Sequence, residues 1–258
     1  TMNTKINRII SVPALALLGI GALAGFSNNN ESSSDSSTSA SSSSASAPTS
    51  SEAAENTAAA SSSSSAETKS KPSAVAASSL SGTAIDKTEE VTAKANKISF
   101  AVPAEWVSID GAALASSSQD KIKEVAQDTG MDPQALTQQM SQLDLMVSAP
   151  SADDTGFADN INVTATPVDT TELPSKEDMD AFVQEFNGKP INYQVVTTPA
   201  GDATVTEYTL DAAGRTIHGT SIIVPSGAGG YSIVTVSTSD TAKLQNYVKT
   251  VLESVETK

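Results

Sequence analysis

The 258-residue chain has no cysteine, one histidine (His218), one tryptophan (Trp106) and only 4% aromatic residues. The missing cysteines exclude disulfides, thiolate metal sites and thiol nucleophiles together. With a single histidine, a His-based catalytic triad or a zinc site rests on that one residue. Positive charge is also scarce. There are 15 Lys and Arg against 30 Asp and Glu, a net charge of −15. Such a chain repels phosphate backbones, so no nucleic-acid partner is expected. No cofactor is expected either. "PSGAGGYS" lacks the P-loop lysine and the dinucleotide spacing, and "DDTGFADN" lacks the EF-hand register.

Large apolar residues are nearly absent from Ser27 to Ser81, where Ser and Ala dominate. A segment such as "ESSSDSSTSASSSSASAPTSSEAAENTAAASSSSSAETKSKPSA" buries too little surface to offset chain entropy. We read residues 26–90 as a disordered spacer. Eight acidic and five basic residues precede Val91, so most of the acid excess falls in the remaining part, 22 against 10. That part, residues 91–258, is about 170 residues long, a usual size for one domain. Its acidity reads as a solubility device rather than a binding face.

Before the spacer comes an address. Lys5 and Arg8 supply a positive start, and Ile9 to Leu23 is an apolar run of 15 residues. A helical span of a bilayer takes about 20. Ala22-Leu23-Ala24 then offers an A-x-A cleavage pattern. Residues 1–25 read as a secretory signal, which puts the protein outside the cytoplasm or on the outer face of the membrane. The signal ends "LAGFS", Leu23 to Ser27, where a lipobox would have cysteine at the position of Phe26. Phenylalanine has no nucleophile and cannot be acylated. Three readings stay open: cleavage after Ala24 with release, retention as a weak anchor, or Phe26 as a change in an otherwise lipidated protein. Membrane proximity would come only through this N-terminus.

The domain shows both periods. "KISFAVPAEW" alternates Ile98, Phe100 and Val102 and turns at Pro103, a strand. "SQDKIKEVAQDTG" reads as a helix stopped by Gly130. The next helix starts from Asp132 and Pro133, with Leu136, Met140 and Leu143 on one face. "DLMVSAP" and "FADNINVTATPV" read as strands. "SKEDMDAFVQEFNGKP" carries a Ser175–Asp178 cap and a stripe of Met179, Phe182, Val183 and Phe186. Four β segments follow, from "INYQVVTTP" to "GGYSIVTVST", divided by Pro/Gly/Asp turns. A last helix carries Leu244, Tyr247, Val248, Val251, Leu252 and Val255. The order implies an α+β fold: one antiparallel sheet flanked by helices.

Three stretches carry a resemblance: "ISFAVPAEW" (Ile98 to Trp106), "FADNINV" (Phe157 to Val163), and the β-meander with its terminal helix. With the signal and spacer, they resemble the LpqN/LpqT-type lipoproteins of actinobacterial cell envelopes, within the wider PsbP-like fold. In that family an early strand ends in Pro closely followed by Trp, here Pro103 and Trp106. A later strand opens Asn-x-Asn, here Asn160 and Asn162. The resemblance spans about Ile98 to Val255. It implies an envelope accessory or interaction protein, and it brings no catalytic residues with it. The lipid-bearing cysteine is the departure.

Catalytic chemistry finds little footing. His218 lies in phase with Ile222 and Val224, and Ser221 points to the opposite strand face, so the two make no dyad. "HGTSII" has Ile223 where a nucleophile elbow needs glycine. Asp153–Asp154 and Glu177–Asp178 are carboxylate pairs, and Glu177–Asp178 sits where a helix start favours negative charge. We expect a monomeric, non-catalytic envelope module that binds a protein or lipid partner. A carrier of a lipid or small apolar molecule is the alternative, and a carboxylate hydrolase is a distant third. Trp106, Asn160 and Asn162 are the candidate ligand-binding residues. No catalytic or metal residue is expected.

Overall fold

The computed structural model describes residues 73–129, 132–212 and 214–258. The signal segment, Phe26 and the spacer up to residue 72 lie outside the described residues.

The large sheet has eight strands. They are β1 (Val75–Ala76), β4 (Val107–Asp110), β5 (Leu143–Ser148), β6 (Asn160–Thr164), β7 (Lys189–Thr198), β8 (Gly201–Ala212), β9 (Arg215–Pro225) and β10 (Tyr231–Thr238). Their order is β1-β7-β8-β9-β10-β6-β5-β4. Strands β7 to β10 form the expected antiparallel meander. Only the two-residue β1 pairs in parallel, against Val196 and Thr197.

A second sheet, ordered β11-β3-β2, contains β2 (Thr88–Ala93), β3 (Ile98–Pro103) and β11 (Glu256–Thr257). The sequence pattern places β3 in a single sheet. Its partners were not visible there, because "TEEVTA" offers only Val91 and Ala93 as buried apolar positions and β11 is two residues long.

The helices are α1 (Gly111–Ala115), α2 (Gln119–Thr129), α3 (Pro133–Met140), α4 (Lys176–Glu185) and α5 (Thr241–Ser254). The α4 capping box forms as its sequence implies. The Ser175 hydroxyl accepts from the Asp178 amide, and the Asp178 carboxylate accepts from the Ser175 amide. Asp132 accepts from the Gln134 and Ala135 amides at 2.9 and 3.0 Å, opening α3. Helix α3 stops at Met140, so Leu143 begins β5 instead of completing the helical stripe. It still packs with Leu136 and Met140.

Both faces of the large sheet are covered. On one face, α5 and the small sheet bury Leu145, Val163, Val234, Ile222 and Val205, together with Phe100 and Leu252. On the other, α4 covers Tyr208, Ile223 and Ile233. Helices α1 to α3 cover Ile109 and Met146 on that same face.

Asp144 ties the two sheets together. Its carboxylate, 5% exposed, accepts from the amides of Ala95 and Asn96 and from Asn96 Nδ2 at 2.9–3.0 Å. Asn96 Nδ2 also donates to the Thr164 carbonyl at 2.7 Å. The β2–β3 turn is thereby held against β5 and β6 by charge-assisted bonds.

The ordered fold starts earlier than composition suggests. Composition places residues 73–90 in the spacer, yet they carry β1, a 3-10 turn (Ala77–Ser79) and the first residues of β2. This arm crosses α5. Lys249 Nζ donates to the carbonyls of Ser78 and Leu80, and the Thr83 and Ile85 amides donate to Asn246 Oδ1 and Thr250 Oγ1. At Gly82, φ is +95° and a Cβ would lie 2.8 Å from the Gln245 carbonyl carbon, so only glycine fits that crossing. The arm is held mainly by backbone and side-chain hydrogen bonds, which composition does not reveal.

Candidate functional site

The three candidate ligand residues do not converge. Trp106 follows β3 and is 7% exposed. Its ring meets Tyr247 of α5 edge-on, with centroids 4.8 Å apart at 65°. It belongs to the core beneath α5. The Tyr247 hydroxyl donates to Asp159 Oδ2 at 3.0 Å, and Lys243 Nζ stands 3.6 Å from the same oxygen. Burial and then the Asp159 charge push the Tyr247 pKa well above its ordinary value, so it stays a donor.

Asn160 and Asn162 alternate with Ile161 and Val163, and those two face α5. The asparagines therefore point to the opposite face of the sheet from Trp106. Both are buried, at 0% and 2% exposure. Asn160 Nδ2 donates to the Ala158 carbonyl at 3.1 Å. Neither Oδ1 has a hydrogen-bond partner among the described residues.

Register extends this polarity across four more strands. Asn162 lies between Met146 and Thr235, which pairs with Ser221 and then Thr206. In the next row, Asn160 lies between Ser148 and Ser237, followed by Gly219 and Tyr208. Gly219 is required there: a Cβ would lie 2.3 Å from the Tyr208 ring, which occupies its place. Burial raises the Tyr208 pKa, and its hydroxyl has no hydrogen-bond partner among the described residues. The result is a buried polar seam between the ground covered by α4 and that covered by α1 to α3.

The chemistry-bearing groups have structural partners. His218 Nδ1 lies 3.4 Å from Thr241 Oγ1 at the start of α5, and Ser221 is on the opposite face, as strand alternation requires. Asp153 accepts from Ser239, from Thr155 and from the Phe157 amide, tying its loop to the start of α5. Partial burial pushes its carboxyl up, but these hydrogen bonds outweigh that and hold it well below the usual carboxylate range. Asp178 serves the α4 cap. Among the described residues, no three His, Cys, Asp or Glu side chains cluster to hold a metal.

A cavity of about 280 Å³ lies elsewhere, on the α5 face beside the β7 edge. Asn192 of β7, Glu207 of β8 and Thr220 of β9 are cross-strand partners in one row and form its floor. Gln194 of β7 extends it. Helix α5 contributes Leu244, Gln245 and Val248, and the arm supplies the outer wall from Ser79 to Ser81. The sequence holds a trace of this floor: Asn192 and Gln194 alternate with Tyr193, and Glu207 follows Ala203 and Val205 at alternate positions of β8. Strand register unites the floor residues, and hydrogen bonds from Lys249 of α5 to the arm bring Ser79 to Ser81 beside them.

No protein-family model matches the chain, and no curated protein matches it. Among solved structures, it is similar to the solution structure of cyanobacterial PsbP (CyanoP) from Synechocystis sp. PCC 6803, with a TM-score of 0.39 and 14% identity over 70% of this chain and 98% of that one.

Proposed function

We propose that this chain is a non-catalytic, exported cell-envelope protein that acts by binding another envelope component, as its resemblance to the LpqN/LpqT-type lipoproteins implies. The signal-like start and the Ser/Ala spacer support presentation at the outer face of the membrane or beyond. The observation that carries an interaction role over a carrier role is the packing around Trp106. A carrier of an apolar molecule needs a chamber between helices and sheet. Here Trp106, Tyr247, Val248 and Val147 fill that space. The cavity beside β7 is lined largely by polar side chains. Asp153, Asp178 and His218 are engaged in loops, caps and the start of α5, which supports a scaffold without an active centre.

Exposed apolar residues suggest where to look for a partner. Ile191, at 62% exposure, sits on β7, and Val107, at 48%, sits on the opposite edge strand β4. Photo-crosslinkers placed at these positions in the full chain, in the producing cell, should trap one discrete protein adduct, abolished by a charge beside the reactive position. Recovery of the protein with a bound lipid mass, lost in Trp106→Ala, would replace this reading with the carrier.

A further inference from the structure

We infer that the cavity under the N-terminal arm is a binding site for a small polyhydroxylated molecule bearing one ammonium group, an amino sugar in chemical class. Four observations converge on it. The first is the change of character along one sheet row. On the α5 face, Val147, Ile161 and Val236 lead to Thr220, then Glu207 and Asn192, so the apolar core gives way to polar groups where the cavity begins. A closed core would continue in valine and isoleucine.

The second is Thr220 itself. It lines the cavity from a fully buried position, and its Oγ1 has no hydrogen-bond partner among the described residues. Buried hydroxyls are normally satisfied. A ligand hydroxyl that presses into the floor beside Glu207 would supply the missing partner.

The third is charge. Glu207 is the one charged side chain among the described lining residues, and no cation of the described residues forms an ion pair with it. A half-buried carboxylate with free lone pairs favours a cationic donor. The chain's net charge of −15 draws cations toward it. The fourth is size and neutral polarity. The volume of 280 Å³ matches about nine waters at their liquid density, room for a single sugar ring. Asn192, Gln194 and Gln245 offer amides able to donate and accept, as a ring of hydroxyls requires.

The test is a titration of the isotope-labelled full chain with glucosamine, followed by amide NMR shifts, with glucose as the uncharged control. Expected are saturable shifts clustered at Gln194, Thr220 and Gln245, and about tenfold weaker binding of glucose. Glu207→Gln should weaken glucosamine about tenfold and leave glucose unchanged, with a native-like spectrum as the folding control. Thr220→Val, close in shape, should weaken both sugars. No saturable shifts at millimolar glucosamine would mean a merely water-filled cavity and would overturn the proposal. So would equal affinity for the two sugars, or binding indifferent to Glu207→Gln.

Discussion

On the α5 face of the large sheet, Leu145, Val163, Val234, Ile222 and Val205 form an unbroken apolar row over five strands. One residue along on the same strands, facing the other way, the row reads Met146, Asn162, Thr235, Ser221 and Thr206. Both rows are buried. The first row packs against α5 and the small sheet in one continuous cluster. The second lies between two separate clusters, one under α4 and one under α1 to α3. Asn162 Oδ1, Thr206 Oγ1 and Ser221 Oγ lack partners among the described residues. Each such group costs about 1–3 kcal/mol if nothing satisfies it. Burial alone therefore does not define a core. The α5 face supplies cohesion, and the seam on the other face tolerates polarity at a cost to stability.

That contrast can be broken first where it is strongest. Leu252→Ala removes a fully buried side chain on the α5 side and should cost about 2–5 kcal/mol in denaturant unfolding. A cost below 1 kcal/mol would show that this face is not the principal core. Gly219→Ala tests the seam's steric side. Its Cβ displaces the Tyr208 ring, and the expected loss is about 1–3 kcal/mol by the same measurement. Removing Tyr208 as well, in Gly219→Ala/Tyr208→Ala, should make the two changes non-additive.

Thr206→Val sharpens the comparison in the opposite direction. It replaces an unpartnered hydroxyl with a methyl group of the same shape, so stability should be unchanged or rise by about 1 kcal/mol. A clear loss would instead reveal a bound water or ligand satisfying the seam.

The smallest effect concerns Asp153, whose carboxyl is depressed by its hydrogen bonds. A depressed folded-state value stabilises the protein above the unfolded value, near pH 3.9, and this contribution fades as pH falls toward the folded value. Asp153→Asn should lower stability at neutral pH and flatten its decline below about pH 4, read from thermal unfolding across pH. Parallel wild-type and variant curves would remove Asp153 from the acid response.

Legibility in the sequence follows the same division. The α5 stripe, the α4 capping box, the meander and the opposition of His218 to Ser221 were all readable, because each depends on local periodicity or chemistry. The seam was not. Asn162, Thr206 and Ser221 occupy alternate positions that usually face water, and only helices on both faces bury them. β2 and β4 carry two apolar residues each, and α1 is only five residues long, too short to show a period. The cavity was hidden for a different reason. Its walls come from positions as far apart as Ser79 and Val248, and no window of sequence contains them.

The arm that closes this cavity is also the point where the chain leaves the domain toward its N-terminus. A load arriving through Ser73 meets the two-residue β1 ladder first, then the Lys249 contacts with Ser78 and Leu80. Both yield before the interlocked β8–β9–β10 strands feel tension. In a pulling experiment the domain should therefore give a short, low-force extension before its main rupture, and that first step would strip the cavity of its outer wall. The fold thus sets a two-residue ladder beside a polar cavity, so a pull on the chain ahead of Ser73 would open that cavity.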